Sequence, residues 1–296
     1  MKQLNALASL TLILIVGMML TYHPTFAQIN QEETSHMLVG KINQQGLEKS
    51  PYSDWFNKNY EAYKVKTQEL PLDKKALRKL KITIFLGTWC GDSKREVPRF
   101  LKIAQQLGVS PSQIKMIALK RNRKSPGQEY KGLNIHHVPT FIISQDQKEL
   151  GRIIEEPTQS LEADLAKIIQ QKAYTPHFAG SEYLLKLFAQ KSATYVQQNM
   201  KSIGKKLKPQ FKNQWELLRL AYILSINDQA EAALTTCQLA DQIYPKSIEI
   251  WLAIARYSPP KTATKTIRQQ YQKVLKADPY NYEALRGIKQ LEKSGD

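Results

Sequence analysis

Cysteine is almost missing from this chain: only Cys90 and Cys237 among 296 residues. That excludes a disulfide framework and a thiolate metal quartet, which both take more thiols than are present. Acidic residues are scarce beside basic ones, 26 Asp and Glu against 43 Lys and Arg, and the formal charge is +17. Such a surplus favours contact with anionic lipid, polymer or an acidic partner, although a soluble basic surface with no dedicated ligand is the plainer reading. No nucleic acid is expected as ligand. The run Lys120-Arg121-Asn122-Arg123-Lys124 and the cluster Lys201, Lys205, Lys206, Lys208 and Lys212 carry no interleaved aromatic platform and read as solvated faces. Phosphate loops, Ser-His-Asp patterns and metal-ligand quartets are missing too, so no cofactor and no metal are expected.

Apolar runs long enough to cross a membrane are absent after residue 20. Before it, residues 6–20 carry no charge, follow Lys2, and lead to Pro24-Thr25-Phe26-Ala27 ahead of Gln28. Residues 1–27 therefore read as a signal peptide, with an uncleaved anchor as the lesser alternative. No cysteine follows to take a lipid. The mature protein is expected to be exported, to periplasm or cell exterior, with no transmembrane domain after signal removal.

What is present divides in three. Residues 28–80 read as a polar, mostly helical lead-in punctuated by Gly46, Pro51 and Pro71. Its aromatic set, Trp55, Phe56, Tyr60 and Tyr63, has helix-like spacing and is expected to pack on the next domain. Residues 81–173 alternate in type. Strands are predicted at 82–87, 114–119, 140–144 and 149–154, helices at 93–107 and 161–171, and a basic loop with a short helix at 121–132. The order β-α-β-α-β-β-α builds one mixed sheet covered by helices on both faces. Residues 174–180, with Pro176 and Gly180, read as a linker, and 181–296 as an all-α domain. Trp215 and Trp251 stand 36 apart, Pro245 and Pro279 stand 34 apart, and each proline follows an apolar helix. This is the mark of helical repeats. The phrase Ala277-Asp278-Pro279-Tyr280-Asn281-Tyr282-Glu283-Ala284-Leu285 resembles a tetratricopeptide-repeat junction. About two repeats are visible over 213–293, with Pro259-Pro260 shortening one hairpin. The resemblance implies a concave face that recruits a protein partner.

The chemistry gathers at Cys90. An apolar β-branched run, 82–86, stops at Gly87-Thr88-Trp89-Cys90-Gly91, and a helical pattern starts at once with Ser93, Val97, Phe100, Leu101 and Ala104. A cysteine handed to a helix N-terminus is a reactive-thiol arrangement, because the free amides and partial positive charge there stabilise the thiolate. Lys94 and Arg95 favour the thiolate further and Asp92 opposes it. Ser93 is expected to hydrogen-bond the sulfur, and Glu96, one turn on, to serve as a local proton acceptor; a surface carboxylate is its plainer role.

Trp89-Cys90-Gly91-Asp92-Ser93 after a buried strand, with Val138-Pro139-Thr140 beginning 48 residues beyond the cysteine, resembles the thioredoxin family over about 80–155. Glu96 and Pro98 resemble its exported bacterial members. The resemblance implies an α/β thioredoxin-like fold with Cys90 as nucleophile. Trp89, Gly91 and Asp92 would flank it, and His137, Val138 and a cis Pro139 would position substrate. Two departures matter. Ser93 stands where the family has its second cysteine, and Ile84 where it has a buried aspartate. A serine cannot attack a mixed disulfide, so resolution must come from an outside thiol. Monothiol exchange or mixed-disulfide capture is expected, with a thiol- or disulfide-bearing protein or small thiol as partner. The alternative is a redox-inactive scaffold that binds polypeptides. Cys237 shares a helix face with Ala233, Ala240 and Tyr244 and reads as buried. A metal held by His136, His137 and Cys90 is not expected.

Overall fold

A computed structural model gives the fold and describes residues 30–34, 36–70, 74–259 and 263–293; the leader-like segment 1–27, Pro71 and Pro260 lie outside the described residues. Among the described residues, six strands form one sheet: β1 (Gln31–Thr34), β2 (Met37–Ile42), β3 (Leu80–Leu86), β4 (Ile114–Ala118), β5 (Thr140–Gln145) and β6 (Lys148–Ile154). Their order is β1-β2-β4-β3-β5-β6. β3 runs parallel to β4 and antiparallel to β5, and the remaining pairs are antiparallel.

The two-residue period of the strands sorts the core into two faces. Ile82, Ile84 and Leu86 of β3 share one face with Met116, Ala118, Phe141 and Ile143. Three helices cover it: α2 (Ser53–Ala62), α4 (Gly91–Gln106) and α5 (Leu161–Ile169). Phe100 of α4 stacks on Phe141 with centroids 4.4 Å apart. α4 continues across the buried Pro98, and Ser160 caps α5 by accepting from the Ala163 amide. The opposite face presents Phe85, Ile117 and Ile142, packed with Leu119, Tyr130, Ile135 and Val138. Here the expected helical cover and the short helix at 121–132 are corrected. Residues 119–139 cross this face as irregular chain. Pro126 withholds an amide and favours no helix interior. Arg123, Gln128, Gly132 and Asn134 take the left-handed conformation, which ends any helical run.

The lead-in is likewise corrected. It holds α1 (Gln44–Leu47), α2 and α3 (Lys74–Lys79), but also β1 and β2. β2 pairs with β4 and buries Leu38, Val39 and Ile42. Without it the outer edge of β4 would leave its backbone groups unpaired. The aromatic set packs on the sheet domain as its spacing implied. Phe56 is buried and stacks on Tyr60, and the Tyr63 hydroxyl donates to the buried Glu162 carboxylate of α5.

The remainder is helical: α6 (Ala179–Gln190), α7 (Ala193–Gln198), α8 (Met200–Leu207), α9 (Gln214–Ile226), α10 (Ala230–Ile243), α11 (Ile248–Tyr257), α12 (Thr264–Ala277) and α13 (Tyr282–Lys293). Consecutive helices from α9 onward pack as neighbours, as a repeat array requires. Their core includes Leu184, Leu207, Leu220, Leu224, Ala233 and Cys237. Burial pushes the Cys237 thiol up to about 12. No helix of the described residues is long and apolar enough to cross a membrane.

The helical region docks on the irregular face. Asn227 Oδ1 accepts from the Gly132 amide at 2.6 Å, Lys131 pairs with Asp228, and the Tyr222 hydroxyl donates to the Asn122 carbonyl at 3.0 Å. Ile226 packs into the cluster that holds Trp89 and Cys90.

Candidate active site

β3 delivers Gly87 to the mouth of the fold, and a tight turn follows. The Cys90 amide donates to the Gly87 carbonyl at 2.8 Å, and the Lys94 amide to the Cys90 carbonyl at 3.0 Å, which starts α4. Cys90 is the N-cap residue of that helix. Ser93, fully buried, accepts from the Gly87 amide at 3.1 Å. The hydroxyl thus stitches the first helical turn to the end of β3. Thr88, also buried, accepts from the Leu38 amide.

Cys90 is half-buried and its Sγ donates to the Val138 carbonyl at 3.1 Å. The Val138–Pro139 bond is cis. Sulfur, Val138 and Pro139 therefore meet as the motif spacing implied. Trp89 stands beside them, its indole N–H donating to the Leu119 carbonyl at 2.8 Å. Gly91 is exposed, with open space where a side chain would project.

An added Cβ at Gly87 would sit 2.6 Å from the Trp89 ring. Gly87→Ala is expected to displace that ring and lower stability by about 1–3 kcal/mol, read as a shifted urea midpoint with altered near-ultraviolet dichroism.

Three expected site residues have other surroundings than the sequence implied. Glu96 is buried and accepts from Arg95 at 2.5 Å and Arg99 at 3.2 Å; its contacts are with these guanidinium groups and not with Ser93 or the sulfur. The same Arg95 pairs with Asp92 at 2.8 Å and with Glu156 at 3.5 Å, so this one guanidinium is shared among three carboxylates near the helix start. His137 is buried, not lining an open groove. Its ring stacks on Phe178 with centroids 3.7 Å apart, and its Nδ1 lies 2.7 Å from His136 Nδ1. His136 Nε2 meets Glu182 Oε1 of α6 at 2.8 Å. Burial, then the neighbouring His136, Arg219 and Arg123, push His137 far below the usual imidazole range. Burial raises Glu182, but His136, Arg152 and Lys186 outweigh it and leave the carboxyl below its usual value.

The groups that sequence reading missed surround the sulfur from elsewhere. Arg121 and Arg123, read as solvated, lie over the Trp89 ring with guanidinium carbons 5.1 and 4.8 Å from its centroid. Burial and the charge of Arg219 push Arg123 down to about 10, against the favourable charges of Cys90, Glu155 and Tyr222. Glu155 is raised by burial and by Asp92, with Arg219 and Arg123 acting against them. Only the aromatic neighbour of the cysteine hinted that the basic run is held down.

A family profile described as thioredoxin matches residues 46–167, from α1 through most of α5. This segment is a thioredoxin-like domain. The match takes in much of the lead-in, in keeping with the packing of α2 on α4. Among curated proteins, no sequence matches this chain.

The domain's arrangement suits thiol chemistry. A single accessible sulfur at a helix start, beside a backbone carbonyl edge, can attack a disulfide and hold the product as a mixed disulfide. It has no neighbouring thiol to release it: Ser93 fills that position, and Cys237 is sealed in the helical core.

Proposed function

We propose that the protein performs monothiol thiol–disulfide exchange, or captures partners as mixed disulfides, through Cys90. The carrying observation is the half-buried sulfur at the α4 cap, 3.1 Å from the Val138 carbonyl ahead of a cis proline. Cys90 would attack one sulfur of a disulfide and release the other as a thiolate. A second thiol from solution would then attack the mixed disulfide and free Cys90. The leader-like residues 1–27 support action outside the cytoplasm, in the periplasm or beyond the cell. The helical repeats would hold a protein partner near the site.

Intact-mass measurement with a small alkyl disulfide tests this. One adduct per chain is expected, reversed by excess free thiol and absent in Cys90→Ser. The scaffold reading draws on one observation, that Ile226 of this chain already packs into the cluster that holds Trp89 and Cys90. An unmodified Cys90 would overturn exchange and leave the scaffold.

A further inference from the structure

We infer that the disulfide taken by Cys90 carries a carboxylate, held between the guanidinium groups of Arg123 and Arg219 at the rim of the site. The inference rests on the exchange reaction proposed above and names its substrate class.

The two arginines come from different domains. Arg123 belongs to the irregular chain after β4 and is held over Trp89, the residue before Cys90. Its Nη1 donates to the Arg121 carbonyl at 3.1 Å. Its Nε is buried and has no hydrogen-bond partner among the described residues. Arg219 belongs to α9, where residues 219, 222 and 226 share one face by helical spacing. That face is turned to the thiol domain, since Tyr222 donates to the Asn122 carbonyl and Ile226 packs beside Trp89 and Cys90. Arg219, one turn earlier and exposed, stands at the rim, where it interacts electrostatically with Arg123, His137 and Glu155.

Two like charges held together by the docking of two domains oppose that docking unless something balances them. The acids nearby do so only in part. Asp92 is paired with Arg95. Glu155 faces both arginines but is itself raised by burial and by Asp92. A carboxylate matches a guanidinium in shape as well as charge. The site sits beside the sulfur, so the carboxylate belongs to the same small molecule as the reacting disulfide.

The chemistry balances without another cofactor. The Cys90 thiolate attacks R–S–S–R, forming Cys90–S–S–R and releasing RS⁻, which takes a proton from water. A free low-molecular-weight thiol, R′–SH, attacks the mixed disulfide as its thiolate. It leaves as R–S–S–R′ and returns Cys90 to the thiolate.

The test uses the full chain and three alkyl disulfides: dianionic 3,3′-dithiodipropionate, neutral hydroxyethyl disulfide and dicationic cystamine. Rate constants for adduct formation at Cys90 are divided by those of a cysteine peptide. The anion is expected to outpace the cation by about fivefold or more. Arg219→Gln and Arg123→Gln should bring that ratio close to one. Arg219→Lys should keep most of it, because the charge is kept. Lys276→Gln, which removes an equal charge from α12, should leave the ratio as it was. Labelling by all three reagents at equal corrected rates would overturn the carboxylate inference and leave exchange standing. Labelling by none would overturn exchange itself.

Discussion

Ser93→Cys is expected to convert a site that stalls at the mixed disulfide into one that completes a reductive cycle. In the native chain, release waits for a thiol to arrive from solution. A cysteine at 93 would lie one turn from Cys90 on the same helix start. Intramolecular attack in good geometry gains orders of magnitude over attack by millimolar thiol, so release should quicken by about 100-fold or more. Dithiol-driven reduction of insulin disulfides would report it. The fold should survive the change. Ser93 gives up one hydrogen bond, from the Gly87 amide, and sulfur is a weak acceptor, which costs about 1 kcal/mol. Ile84, fully buried beneath the site, offers no proton acceptor, so the variant should turn over more slowly than a site with a buried carboxylate. Ser93→Cys/Ile84→Asp is then the natural next step. If Ser93→Cys folds, labels at Cys90 and still reduces nothing, a lost resolver is not what limits this site.

The parts that could be read ahead of the structure were local. The β3–α4 turn announces itself by an apolar run that ends at Gly87 and a helical period that begins at Ser93. The proline loop stands at a spacing fixed by the intervening strand. Cys237 shows its burial by the small residues on its helix face, and Phe56 by its aromatic neighbours. The rest depends on contacts between distant residues. β2 is a short run, Met37 to Ile42, and is a strand because the edge of β4 needs a partner. Arg123 belongs to a basic run that looks the same whether solvated or pinned against Trp89. Arg219 comes to the site only because Asn227, Asp228 and Tyr222 dock on the loop near it. No period or motif links residue 123 to residue 219. Glu96 misled for a related reason: helical spacing placed it on the face of Ser93, but Arg95 and Arg99 lie closer and carry the opposite charge.

That docking should also be sensitive to acid, through His137. The imidazole lies between Phe178, at the start of the helical region, and the loop that ends in Pro139. Its folded value lies well below its ordinary 6.5, first because it is buried and then because His136, Arg219 and Arg123 face it. Below pH 6.5 the unfolded chain therefore binds a proton that the folded chain refuses. The unfolded state gains stability as pH falls, and the native state loses up to about 1.4 kcal/mol per pH unit. At and above neutrality neither state is protonated here and the term vanishes. Glu182 has the opposite protonation chemistry but a lower window: its carboxyl is held below its ordinary 4.5, so the stability it lends is complete above that value and is lost only as pH drops further. Between pH 6.5 and 4.5 His137 thus sets the falling slope, and Glu155, raised above its ordinary 4.5 by burial and by Asp92, opposes it toward the acid end because its proton is taken up first in the folded state. Urea midpoints across that interval should fall steeply in the native chain and much less in His137→Gln, even though the variant starts lower for want of the Phe178 stack. Because the group sits at the junction, residues 174–178, which lead into α6, should become more open to protease over the same interval. Parallel slopes in the two proteins would show that this imidazole is protonated in place, and that the helical region stays seated over the thiol in acid.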